Sequence, residues 1–91
     1  MYNFLFSERL NEIFEKISRK NKVLYEQVIK KTEEIVNSAD IEHYKNLRHD
    51  LKDYKRVQIG HFVLVFRFDK TNNIIYFEDF DHHDNIYRKN F

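Results

Sequence analysis

Apolar residues at Tyr2, Phe4 and Phe6 alternate along the start of the chain, the two-residue period of a strand, and Ser7 follows as a helix N-cap. Leu10, Ile13, Phe14 and Ile17 then recur at i, i+3, i+4 and i+7, which places them on one face of a helix. Ser18, Arg19, Lys20 and Asn21 interrupt that stripe. A second one runs through Leu24, Tyr25, Val28, Ile29, Thr32, Ile35 and Val36, so the two segments predict a helical hairpin. Asn37, Ser38, Ala39 and Asp40 supply turn-forming side chains that end the second helix, and Ile41 to Asp53 has no regular period.

Beyond that stretch the period returns to two. Tyr54 to Ile59 predicts a second strand, turning at Gly60, the one glycine in the chain and the residue best suited to a strained turn backbone. Phe62 to Phe68 is apolar except for Arg67, as expected of a central strand covered by helices on at least one face. Its pleat sends Phe62, Leu64, Phe66 and Phe68 one way and His61, Val63, Val65 and Arg67 the other. Asp69 to Asn73 reads as a hairpin turn and Ile74 to Phe80 as strand four. Arg67, inside an apolar run, calls for a strand-four acid such as Glu78 as its partner. The predicted fold class is α+β: an N-terminal strand, a two-helix hairpin, then an antiparallel three-stranded meander, with the helices on one face of a curved sheet.

Ninety-one residues support one small domain, residues 1–91, with a modest core in which nine Phe and six Tyr provide much of the buried area. No Cys is present, so neither disulfides nor thiolate metal sites contribute, which fits a cytoplasmic protein. The apolar run near the N-terminus lacks a basic leader and is too short for a signal peptide or a membrane span, so the expectation is a soluble protein without membrane partners.

The formal charge of +1 conceals a segregation. Between His43 and Gly60 stand five Lys or Arg against two Asp, whereas Glu78 to Asp84 holds four carboxylates and no Lys or Arg. A local basic field of that kind attracts phosphate even when the whole chain is near neutral. Asp79, Asp81, His82, His83 and Asp84 carry metal-ligand atoms, but they lie on consecutive positions of an extended segment and follow no metal-binding spacing. No metal and no cofactor are expected.

The run Asn46, Leu47 to Leu51, then Tyr54, Lys55, Arg56, Val57, Gln58, Ile59 and Gly60, together with the ending Asp81 to Arg88, resembles the RelE/ParE superfamily of toxins from toxin-antitoxin modules. The resemblance covers nearly the whole chain. It implies a RelE-like toxin that cleaves mRNA in the ribosomal A site by metal-independent attack of the 2′-hydroxyl, has no small-molecule cofactor, and is neutralised by a cognate antitoxin protein. By position, Lys52 and Arg56 match the family's basic residues and Tyr87 its terminal Tyr. An Arg that many members carry three residues after the Gly is Val63 here, and the usual catalytic Arg after a His is His83. Some relatives use His as the acid or base, for which His49, His61, His82 and His83 are the candidates.

Such chemistry needs a base at the 2′-hydroxyl, an acid at the departing 5′-oxygen and a cation beside the phosphorane. The expected catalytic set is Arg56, His83, Tyr87 and His82, with Arg48, His49, Lys52, Lys55 and His61 binding RNA. Arg56 clamps phosphate through its guanidinium fork. Flanking aspartates favour a charged His83 acting as acid or charge stabiliser, and Tyr87 orients the attacking hydroxyl. The competing expectation is a non-catalytic ParE-like toxin that inhibits DNA gyrase, or a member that has lost turnover and only binds RNA.

Overall fold

The structure, a computed structural model, describes residues 2–46 and 53–89. Strand β1 spans Asn3–Phe6, helix α1 Glu8–Lys20, helix α2 Lys22–Val36, and a 3₁₀ turn follows at Ile41–His43. Strands β2 (Lys55–Ile59), β3 (Phe62–Asp69) and β4 (Ile74–His82) form the meander, and a one-turn helix α3 (His83–Ile86) follows. The four strands make one mixed sheet in the order β1-β4-β3-β2, with β1 parallel to β4 and the other pairs antiparallel.

Two caps set the helical hairpin. The Ser7 hydroxyl accepts from the Leu10 amide (3.0 Å) and donates to the Glu78 carbonyl (2.6 Å), so it starts α1 and ties it to β4. A cap of this type contributes about 1 kcal/mol. The interruption expected over Ser18–Asn21 narrows to Asn21 alone. Ser18 stays helical by donating its hydroxyl back to the Glu15 carbonyl, while Asn21 ends α1 through its amide and begins α2 through its side chain, which accepts from Leu24 N.

One face of the sheet carries the main core. Leu64, Phe66, Ile75, Phe77 and Phe80 pack there against Leu10, Phe14, Val28 and Ile35 of the helices. Gly60 and His61 form the two-residue turn between β2 and β3, in which Gly60 alone takes a positive φ, +62°. A Cβ at Gly60 would meet nothing within 4 Å, so its backbone conformation, and not space, requires the glycine there. A register shift beside Val65 and Phe66 leaves Glu78 with no directly opposed residue on β3. Arg67 pairs with Glu78 at 3.1 Å as predicted, and its guanidinium also lies 4.0 Å from the Tyr76 ring centre.

The opposite face departs from the expected picture in one respect. Strand β4 runs two residues beyond Phe80, and the chain then turns into α3, which lies on the sheet face away from α1 and α2 and buries Ile86 against Val63 and Val65. Three polar residues precede Ile86, so no apolar period announces this helix. Among the described residues no helix is long and apolar enough to cross a membrane.

Candidate active site

Antiparallel pairing fixes which side chains share the face beneath α3, because directly opposed residues point the same way. One row across the sheet is Arg56, Val65 and Asp79, and the next is Gln58, Val63 and Asp81. The second apolar cluster, Val63, Val65 and Ile86 with Tyr54 and Tyr87, fills the middle of these rows. Arg56 therefore stands beside the cluster that holds Tyr87. The Val63 position, arginine in many RelE-like toxins, is 1% exposed and serves packing under Ile86.

His83 and Tyr87 stand at i and i+4 of the final turn, with ring centres 5.2 Å apart in an edge-on contact. His83 Nδ1 lies 3.1 Å from Asp84 Oδ1. Together with Asp84 and Arg88 they line an open cleft of about 390 Å³. Asp84 and Arg88 were missing from the expected set. Reading the ending as a helix would have found them, since 83, 84, 87 and 88 fall on one helical face.

The other expected residues divide. His82 is paired with Phe62, its ring 5.9 Å from that ring, and its Nδ1 accepts from Asp84 N as the cap of α3. It shapes the turn from the side facing Phe62, apart from the His83–Tyr87 pair. His61 is exposed at the β2–β3 turn. Its ring stacks on His82 at 6.1 Å and its carbonyl accepts from His83 N at 2.8 Å, so it touches the start of the turn and lies at the end of the sheet.

Lys55, expected to bind RNA, lies on the other face. It opposes Phe66, is 9% exposed, and donates to the Tyr44 carbonyl and Asn46 Oδ1, both at 3.2 Å. The pleat explains this: neighbouring residues of a strand cannot both face one ligand, and Arg56 takes the α3 side. Arg48, His49 and Lys52 lie outside the described residues.

Cations on the α3 side are mostly committed to carboxylates. Arg67 holds Glu78, while Lys89 bridges Asp79 (2.7 Å) and Asp81 (2.9 Å). Among the described residues Arg56 has no ion-pair or hydrogen-bond partner for its guanidinium. Nor, among them, is any group of three or more His, Asp or Glu placed to hold a metal ion.

Burial raises the Asp81 carboxyl, but hydrogen bonds from Lys89, Asn85 and the His82 amide outweigh it and leave the group below its ordinary value. Burial lowers Lys89, but Asp79 and Asp81 outweigh it and hold the ammonium above its ordinary value. A lowered carboxyl contributes stability that is complete above the ordinary carboxylate value of about 3.9 and is lost as pH falls through the lowered one. A raised amine contributes stability that is complete below about 10.4 and is lost as pH rises through the raised value. Protection of the Arg88 and Lys89 amides from hydrogen exchange, corrected for intrinsic rate, should therefore be level between pH 5 and 9 and decline only outside it. A step inside that window would assign the order of this turn to groups other than Asp81 and Lys89.

The topology is that of a small α+β domain in which an arginine-bearing strand stands beside a His–Tyr turn. Residues 3–87 match the family model described as ParE toxin of type II toxin-antitoxin system, parDE, and the chain belongs to this family within the RelE/ParE superfamily. It is 48% identical over 90 residues to the toxin candidate RelE4 of Methanocaldococcus jannaschii, covering 98% of this chain and 94% of that one. Among solved structures it is similar to the isolated E. coli RelE toxin (TM-score 0.73, 21% identity, covering 97% of this chain and 98% of that one). A chain of the intact E. coli RelBE toxin-antitoxin complex is a further neighbour (TM-score 0.72, 20% identity, 90% of this chain and 96% of that one covered). At these identities the solved structures support the fold alone.

Proposed function

We propose that this toxin is a metal-independent mRNA endoribonuclease that acts in the ribosomal A site and is held inactive by a cognate antitoxin. The observation that carries the reading is the guanidinium of Arg56, without a partner among the described residues, on the same sheet face as the cleft lined by His83 and Tyr87. In this mechanism the 2′-oxygen attacks phosphorus, the bond to the 5′-oxygen breaks, and the upstream fragment ends in a 2′,3′-cyclic phosphate. Arg56 neutralises the charge that develops on the phosphorane. His83 delivers a proton to the departing oxygen, Tyr87 orients the hydroxyl, and the hydroxyl proton leaves to water reaching the open cleft. Solved complexes of similar toxins with antitoxins support the same kind of partner here.

Expression of the chain without antitoxin, followed by mapping of mRNA 5′ ends, tests the proposal. New ends inside translated codons are expected, and His83→Ala should slow their appearance by roughly 10² through loss of the acid. A second reading, inhibition of DNA gyrase, is favoured by the match to the ParE model and by the burial of Val63 where an arginine is common. Arrested growth with intact transcripts and blocked supercoiling by purified gyrase would select it.

A further inference from the structure

The proposed chemistry leaves unused the most deeply buried charge in the described residues, Asp79, which is 0% exposed. A carboxylate in such a place costs several kcal/mol unless it is paired and hydrogen-bonded. Its partners come from three parts of the chain. Lys89 Nζ donates at 2.7 Å, Arg9 Nη1 of α1 lies at 3.5 Å, and the Phe80 amide donates at 2.9 Å. The same Lys89 ammonium reaches Asp81, which also accepts from the His82 amide and the Asn85 side chain.

We propose that Lys89 is a positioning residue, its ammonium locked between Asp79 and Asp81 so that the final turn holds His83 and Tyr87 in working geometry. The proposal rests on the nuclease reading given above. A four-residue helix has no stability of its own, since one turn fixes several residues for a single backbone hydrogen bond. Its geometry must be imposed from outside, and three anchors do so beside the Asn85–Asp81 hydrogen bond. The His83 amide is held by the His61 carbonyl, Ile86 is buried in one cluster with Val63 and Val65, and Lys89 is bound to β4. Tyr87 lies between the second and third anchors. Without the third, the turn after Ile86 keeps its backbone bonds from Arg88 to Asn85 and from Lys89 to Ile86 and the packing of Tyr87 on His83 and the second apolar cluster, but loses the ammonium that ties residue 89 to the carboxylates of β4. A displacement of about 1 Å in a catalytic group is enough to cost on the order of 10² in rate.

The experiment compares Lys89→Met, Lys89→Arg and Asp81→Asn with the parent toxin. Hydrogen exchange of the amides of residues 83–89, the ring–ring nuclear Overhauser contact of His83 with Tyr87, and single-turnover cleavage of ribosome-bound mRNA are measured. Lys89→Met should speed exchange at residues 86–89 at least tenfold, weaken the ring contact, and lower the cleavage rate about tenfold at saturation. The half-saturating concentration should stay within twofold, and amides of β3 should keep their protection. Lys89→Arg should restore most of each loss. Asp81→Asn, which retains the Asp79 pair, keeps the fold testable should Lys89→Met fail to fold, and its effects should be smaller and of the same sign. Parent-like exchange and ring contact in Lys89→Met, or in Asp81→Asn if that alone folds, would overturn the clamp. A parent toxin that leaves mRNA intact would remove the nuclease reading while the exchange data still judge the clamp. Normal cleavage by a disordered turn would remove the positioning role alone.

Discussion

Phe77→Ala is expected to lower the free energy of unfolding by about 3–5 kcal/mol, the range for deleting a buried Phe ring. Phe77 is completely buried at the crossing of three strands, with the rings of Phe6, Phe66 and Phe4 at 5.3, 5.9 and 6.2 Å. It pairs with Phe6 across the parallel ladder, and its carbonyl accepts from the Ser7 amide at the start of α1. The cavity would open where β1, β4 and α1 join, a place that cannot collapse without moving an entire element. For a domain of this size each kcal/mol shifts the melting temperature by roughly 4–8 °C, so a fall of at least about 12 °C should appear in calorimetry. Phe4→Ala is the comparison: that ring is 46% exposed and its loss should cost less than half as much. Equal costs for the two in urea unfolding would mean that the core is not centred on Phe77.

The main core was legible because both of its periods are clean. The helical stripes from Leu10 to Val36 and the alternation from Phe62 to Phe68 each name the face that the structure buries. The pairing of Arg67 with Glu78 was legible for a related reason, since a cation in an apolar strand needs a neighbouring acid. What escaped was the other side of the sheet. Helix α3 has one apolar residue, Ile86, and forms because Val63 and Val65 offer that residue a place to bury, a tertiary cause that leaves no local pattern. The placement of Lys55 could have been read, because the strand that turns Arg56 toward α3 must turn Lys55 toward the helices. The same missing helix hid a structural use of His82: as its cap, the imidazole accepts from Asp84 N.

Arg56→Ala should reduce single-turnover cleavage of ribosome-bound mRNA by about 10²–10³, the usual cost of removing one preorganised donor from developing charge. The size of the effect follows from what surrounds the residue. Arg67 and Lys89, the cations nearest in kind on this face, already neutralise Glu78, Asp79 and Asp81, and turning either toward a phosphate would strand a carboxylate. Arg56 leaves no such carboxylate behind among the described residues, so its fork is available to two phosphate oxygens. Arg56→Lys keeps the charge without the fork and should fall between the two. If the guanidinium acts on the transition state, the saturated rate drops while the half-saturating concentration changes little; a ground-state grip would give the reverse. Arg19→Ala removes an exposed guanidinium near the end of α1 that is paired with Glu15, and should stay within about twofold of the parent. An Arg56→Ala toxin that folds normally and cuts mRNA at the parental rate would take the phosphorane's cation away from β2 and with it the main support for catalysis on this face.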